Sequence, residues 1–186
     1  MGSLQIHGSD LEGVYAVDTK TIGDLRGIFA RCFCELELES VLGGRRIVQA
    51  NVSRTTSVGA IRGLHFQHVP HAEMKLIRCL RGRVWDIAVD LRANSPTFLK
   101  SHAEELSSSN MRMMIIPEGC AHGFQVLEPD SELLYLHTAA YDKASEGGVR
   151  YDDPRLKICW PLSVSDISER DRSHPLLSES FPGINT

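Results

Sequence analysis

The stretch RVWDIAVDL, residues 83–91, decides the fold class, because its large apolar side chains occupy every second position. Successive side chains of a β-strand point to opposite faces of the sheet, so this spacing predicts a strand. One face carries Trp85, Ile87, Val89 and Leu91, and the other carries Asp86, Ala88 and Asp90. The preceding dipeptide Arg81-Gly82 marks a turn.

Similar segments recur along the chain between glycine and turn signals. Further strands are predicted over residues 47–53, 60–67, 75–80, 112–116, 124–127 and 132–141. Helix is expected only over 35–42 and, from the capping residues, over 165–171. Many short strands without a helical layer predict an all-β sandwich or barrel, and we expect a barrel whose interior holds a small ligand. No repeat or linker divides residues 1–186, so we expect a single domain with a less regular C-terminal segment from about residue 162.

Composition excludes several classes of protein. Lysine and arginine number 20 against 24 acidic residues, and the net charge of -4 predicts no nucleic-acid partner. No apolar run approaches the ~20 residues that span a bilayer, and the start MGSLQIHGSD lacks the apolar core of a signal peptide. We therefore expect a cytoplasmic protein with no membrane partner. Five cysteines without a CxxC pair suggest neither a disulfide framework nor a zinc ribbon.

Polar side chains that could carry chemistry share faces of the predicted strands. The sets are His65 with Gln67, Lys75 with Ile77 and Cys79, and Tyr135 with His137, Ala139 and Tyr141. Burying such polar groups is costly unless they are hydrogen-bonded or used, so their convergence inside one barrel would mark a site. His137 receives no functional prediction, because isolated polar residues on strands are usually solvated.

Five motifs, in this order and at these separations, resemble the dTDP-4-dehydrorhamnose 3,5-epimerase family. They are RGLHFQ (62–67), MKLIRCLRGRVWDIAVDLRANSPTF (74–98), IPEGCAHGF (116–124), VRYDDP (149–154) and WPLSVSDISERD (160–171). The resemblance runs from about Asp24 to Asp171. It implies a cupin-type β-jelly-roll, usually a homodimer, that acts on a nucleoside-diphosphate 4-keto-6-deoxy sugar without a metal or organic cofactor.

The same resemblance implies roles for particular residues. His65 corresponds to the catalytic base, Asp171 to its partner carboxylate, Lys75 to the lysine near the sugar ketone and Tyr135 to the proton donor on the opposite ring face. The predicted substrate-binding residues are Arg26, Phe29, Gln49, Asn51, Arg62, His122 and Tyr141. Of these, Arg26 and Phe29 in DLRGIF correspond to a nucleotide-binding motif that acts in part across the dimer.

The chemistry suits these residue types. A hydrogen next to a ketone can be removed when the enolate oxygen is stabilised, and a cation such as Lys75 could supply roughly 3 to 4 kcal/mol. Imidazole titrates near neutral pH, and a carboxylate at its second nitrogen sets its tautomer, which suits His65 with Asp171. Inversion requires a proton from the other face, which Tyr135 could donate. Asp171 could equally cap a helix turn with Ser168.

Alternative functions remain open at this stage. A metal-dependent cupin could use His65, His68, His71, Glu73 and His122 as ligands. Against it, the first cupin motif expects a histidine where Gln67 stands. A single-centre epimerase, a keto-sugar isomerase or a non-catalytic sugar-binding barrel would share much of the fold.

One residue departs from the family pattern. The family usually has a glutamate two residues after the phenylalanine of RGIF, and this chain has Arg31 there. The charge near the expected nucleotide site is thereby reversed, which leaves the base and the sugar open. Thymidine remains the default nucleoside.

Overall fold

The computed structural model describes residues 4–186, and β-strands dominate it. The strands are β1 (Leu4–Gly8), β2 (Tyr15–Thr19), β3 (Ile22–Asp24), β4 (Gly27–Phe29), β5 (Gln49–Thr55), β6 (Ile61–Gln67), β7 (Lys75–Arg81), β8 (Arg83–Asp90), β9 (Ser101–Ser107), β10 (Met113–Ile116), β11 (Cys120–Val126), β12 (Ser131–His137) and β13 (Glu146–Gly148). The helices are α1 (Glu35–Leu42) and α2 (Glu169–Ser173). Within residues 4–186, neither helix has the length and apolar character needed to cross a membrane.

Two antiparallel sheets form the body of the protein. The six-stranded sheet has the order β1-β2-β10-β7-β12-β5, and the five-stranded sheet has the order β13-β6-β11-β8-β9. Strands β3 and β4 form a separate hairpin. Apolar side chains from both sheets, such as Ile77, Val84 and Leu133, pack into one buried cluster. This arrangement confirms the predicted all-β jelly-roll barrel.

Residues 83–90 of the stretch RVWDIAVDL form β8, and the two faces of this strand contact different parts of the protein. Ile87 and Val89 pack with Leu156 and Ile184 of the C-terminal segment, on the outside of the five-stranded sheet. The opposite face, which carries Asp86, belongs to the interior between the sheets. The apolar face of the strand is therefore covered by later chain, and an acidic side chain points inward.

Helix α1 has the bounds that the sequence predicts. Leu38 and Leu42, one turn apart, are its buried residues, and Glu35 and Glu37 lie in the first turn, where negative charge favours the helix dipole. Gly43 ends the helix in the left-handed conformation, with φ of 57°.

Other predicted bounds need correction. β12 ends at His137 and not at residue 141, because its partner strands β5 and β7 both begin opposite His137, at Gln49 and Lys75. β11 begins at Cys120, ahead of the predicted 124, and α2 begins at Glu169. The strands that the sequence did not predict are β1, β2, β3, β4, β9 and β13. Most of these are short or lie at sheet edges, where apolar alternation is weak.

Candidate active site

A cavity of about 550 Å³ lies between the two sheets, within the range of ~300 to 1,000 Å³ usual for small-molecule sites. Side chains from both sheets and from the start of α2 line it. The predicted site residues among them are His65, Lys75, Tyr135, Asp171, Asn51, Arg62, His122 and Tyr141. The fold thus gathers eight residues that are far apart in the sequence.

His65 on β6 is paired with Asp171 on α2. The His65 Nε2 lies 2.8 Å from Asp171 Oδ1, and Asp171 Oδ2 accepts a bond of 3.0 Å from the Gly63 N–H. Ser168 is the N-cap of α2 and accepts the Asp171 N–H at 3.1 Å. The two readings of Asp171 are therefore compatible, since its backbone serves the helix cap while its carboxylate serves His65.

The charge of Asp171 follows from these contacts. Burial alone would raise its pKa, but the hydrogen bond and charge of His65, the Gly63 N–H and the Arg170 guanidinium hold the pKa well below its usual range. A carboxylate at Nε2 favours the tautomer with the proton on that nitrogen, which leaves Nδ1 of His65 able to accept a proton. Arg170 also contacts Glu146, at 2.9 Å.

Tyr135 lines the cavity from β12 in the opposite sheet. Its hydroxyl oxygen lies 3.1 Å from Ser53 Oγ. Burial raises the pKa of Tyr135 well above its ordinary value, and the Ser53 bond only partly opposes this. Tyr135 is consequently a phenol at neutral pH, able to donate a proton.

Lys75 belongs to a buried network that the sequence did not reveal. Its Nζ lies 2.9 Å from Glu73 Oε1, and Glu73 Oε2 lies 3.1 Å from His137 Nδ1. Burial would raise the pKa of Glu73, but the His137 bond and the Lys75 charge lower it. His137 is 8% exposed, so the expectation that it is solvated was wrong. The sequence indicated the burial of His137 through the strand face that it shares with Tyr135.

Three of the predicted binding residues do not line the cavity. Arg26 and Phe29 lie in the exposed β3–β4 hairpin, around a shallower depression of about 350 Å³. Gln49 contacts a residue of the cavity wall, since its Oε1 accepts the Tyr141 N–H at 2.9 Å. The single chain brings neither hairpin residue to the cavity, and their role in binding stays a prediction.

Arg31 is neutralised within the chain. Its guanidinium pairs with Glu37 of α1. Arg31 lines neither the cavity nor the hairpin depression. The reversed charge that the sequence pointed out thus has a compensating acid.

Residues that a metal-dependent cupin would use as ligands bond other side chains in this structure. His71 Nδ1 lies 3.0 Å from Ser145 Oγ, while Glu73 pairs with Lys75. Among residues 4–186, the group of three histidine or carboxylate side chains whose ligand atoms all lie within 4.8 Å of one another is His65, Asp171 and His174. The five proposed ligands do not form such a group in that range.

A second histidine and aspartate pair also borders the cavity. His122 on β11 has its Nε2 2.8 Å from Oδ1 of Asp86, a residue that sequence reasoning missed. The sequence indicated it through an acidic residue, Asp86, that lies between apolar residues of the predicted strand.

Comparison with known proteins agrees with this geometry. The family model for dTDP-4-dehydrorhamnose 3,5-epimerase matches residues 8–179. The dTDP-4-dehydrorhamnose 3,5-epimerase of Sinorhizobium fredii is 40% identical over 185 residues, which cover 96% of this chain and 95% of that relative. A dTDP-4-dehydrorhamnose 3-epimerase of Streptomyces niveus is 36% identical over 178 residues, covering 95% and 86%.

A solved structure extends the comparison to the fold. The dTDP-6-deoxy-D-glucose-3,5-epimerase of Legionella pneumophila, in complex with dTDP-4-keto-L-rhamnose, has a TM-score of 0.88 and 38% identity to this chain. The likeness covers 93% of this chain and 92% of that one. Together with the family match over residues 8–179, these identities show that the chain belongs to the dTDP-4-dehydrorhamnose 3,5-epimerase family, whose members are isomerases.

Proposed function

We propose that this protein inverts carbons 3 and 5 of a nucleoside-diphosphate 4-keto-6-deoxy sugar, with dTDP-4-dehydro-6-deoxyglucose as its first candidate substrate. The observation that carries the proposal is the position of two proton-transfer groups on opposite walls of one cavity. His65 belongs to the five-stranded sheet and Tyr135 to the six-stranded sheet. A sugar ring between them would meet a base on one face and an acid on the other, as inversion requires.

The proposed reaction begins at a carbon next to the ketone. His65 takes the hydrogen as a proton on Nδ1, while Asp171 holds the ring through Nε2. The carbon–hydrogen electron pair moves into an enolate, and the Lys75 ammonium stabilises its oxygen by roughly 3 to 4 kcal/mol. Tyr135 then gives its proton to the carbon from the opposite face. Because carbons 3 and 5 both flank the ketone at carbon 4, the same base and acid serve both.

Two features support a nucleotide-sugar ligand and a homodimer. The Legionella relative was solved with dTDP-4-keto-L-rhamnose. In this chain, the β3–β4 hairpin exposes Ile22, Ile28 and Phe29, apolar side chains suited to a partner subunit. Arg26 pairs with Asp24 in the same hairpin, and its guanidinium would suit a phosphorylated ligand that replaces this carboxylate. We propose that a second copy of the chain receives this hairpin beside its own cavity.

The proposal is tested by proton NMR in deuterium oxide with the metal-stripped protein and dTDP-4-dehydro-6-deoxyglucose. Loss of the signals of both hydrogens, at carbons 3 and 5, with appearance of an inverted sugar is the expected result. His65→Ala is the control, in which both signals persist. Exchange that appears only after iron or zinc is added would overturn the metal-free mechanism.

A single-centre epimerase is the second candidate, because the Streptomyces niveus relative is a 3-epimerase at 36% identity. The same spectra separate the two activities. Loss of the carbon 3 signal alone, with inversion at that carbon only, would assign the narrower reaction.

A further inference from the structure

The two imidazoles of the cavity are neighbours across a pair of strands. His122 on β11 is the register partner of His65 on β6, so both side chains enter the same cavity side by side. Tyr135 reaches His122 from the opposite sheet, with ring centroids 6.0 Å apart and planes at 72°. The second histidine is therefore next to the base in one sheet and in edge contact with Tyr135 of the other sheet.

Asp86 behind His122 has an unusual environment. Its side chain is fully buried, its Oδ1 bonds His122 Nε2 at 2.8 Å, and its Oδ2 finds no partner among residues 4–186. Its ion-pair partner within those residues is His122. An isolated buried carboxylate is costly, so the pair is stable when it holds one proton and is neutral as a whole.

Asp86 is also coupled to Tyr135. Burial raises the pKa of Asp86, against the charge and hydrogen bond of His122. Burial is the main cause of the raised pKa of Tyr135, and the Ser53 hydrogen bond opposes it. The negative charge of Asp86 raises that pKa further. The ionisation of Tyr135 thus depends on where the proton of the Asp86–His122 pair lies.

We propose that Asp86 is a positioning residue that keeps one proton on the Asp86–His122 pair, and that its carboxylate lets this proton move onto His122, toward the negative charge left on Tyr135 after it protonates the sugar. The inference rests on the proposed epimerisation. The proton taken by His65 leaves to water, and Tyr135 regains one from water as product departs, so each inversion conserves protons. The pair remains neutral throughout and serves only the second half of the reaction.

The test separates exchange from inversion in deuterium oxide. Asp86→Asn keeps the size of the side chain but cannot hold a carboxyl proton. We expect hydrogen exchange at the ring carbons to stay within about threefold of the parent, while formation of inverted sugar falls roughly 10- to 100-fold. Asp171→Asn is the matched control from the other pair, and it should slow exchange and inversion together.

Each outcome decides the inference. Equal loss of exchange and inversion in Asp86→Asn would reduce Asp86 to a packing role, and parent-like inversion would also overturn the proposal. If Asp86→Asn does not fold, Asp86→Ser, which also lacks a carboxyl group, must show the same partition. Absence of exchange in the parent protein would instead reject the proposed function itself.

Discussion

The His65–Asp171 and His122–Asp86 pairs have the same residue types and the same 2.8 Å contact between Nε2 and Oδ1, but both members of the first pair line the cavity, whereas Asp86 lies buried behind His122. Their carboxyls nevertheless shift in opposite directions. The pKa of Asp171 is lowered, whereas that of Asp86 is raised. The Asp171 carboxyl is therefore held as an anion, whereas burial disfavours the charged form of the Asp86 carboxyl.

The difference comes from the remaining partners of each carboxylate. Asp171 also accepts the Gly63 N–H and contacts Arg170, and these contacts together with the bond and charge of His65 outweigh the effect of burial. Asp86 has one oxygen without a partner among the described residues, so burial prevails. The ionisation of a histidine–aspartate pair therefore depends on the hydrogen-bond donors around the pair as well as on its two members.

Removal of the two imidazoles should distinguish the pairs most strongly. We expect His65→Ala to slow exchange at the sugar carbons by roughly 10²- to 10⁴-fold, because the base is lost. His122→Gln should retain exchange. Deuterium incorporation followed by NMR measures both variants, and parent-like exchange in His65→Ala would show that the base is another group.

Loss of the opposite acid should have the next largest effect. Tyr135→Phe removes the hydroxyl but leaves His65 intact, so exchange should continue while inversion falls by roughly 10²-fold. Product analysis alongside deuterium incorporation measures the two rates. Ser53→Ala is the control, because it removes only the hydrogen bond to the phenol. If Tyr135→Phe inverted the sugar at the parent rate, the acid would have to be sought elsewhere on that wall.

The two carboxyls should also give opposite pH dependences of stability. A lowered pKa means that Asp171 stabilises the fold fully above about pH 4 and that this contribution is lost progressively as the pH falls below that value, so Asp171→Asn should cost about 1 to 3 kcal/mol at pH 7 and progressively less in more acidic solution. A raised pKa means that the contribution of Asp86 is present below about pH 4 and is lost as the pH rises.

Relative to the parent, the free energy of unfolding of Asp86→Asn should therefore increase as the pH rises above about 4, while that of Asp171→Asn decreases as the pH rises toward about 4. Denaturant titrations at several pH values measure these slopes. Slopes of the same sign for the two variants would contradict the contrast between the pairs.

The smallest expected effect is on the stability of helix α2, which carries Asp171. Ser168→Ala removes the N-cap of α2 and should lower the free energy of unfolding by about 1 kcal/mol, whereas Ser168→Gly should cost only about a few tenths of that unit. Thermal unfolding measures both. An unchanged midpoint in Ser168→Ala would mean that the helix does not depend on this cap.

Much of the fold and of the site was predictable from local patterns. Alternation identified β6, β7 and β12, and hence the faces of His65, Lys75 and Tyr135. The edge strand β9 was not predictable, because its sequence SHAEELS lacks the apolar alternation that most strands show. Its pairing with β8 is what holds it in the sheet. The bonding of Glu73 to Lys75 and His137 also lay beyond reach, since it joins separate strands.

The sequence by itself determined the strand alternation of residues 83–91, the helix over 35–42 and the ordered motifs that indicate the family. Only the tertiary structure decided that the apolar face of β8 lies beneath the C-terminal segment and that Asp86 faces His122. The physical reason is that periodicity is set by backbone geometry within a few residues, whereas the environment of a face depends on chain segments tens of residues away.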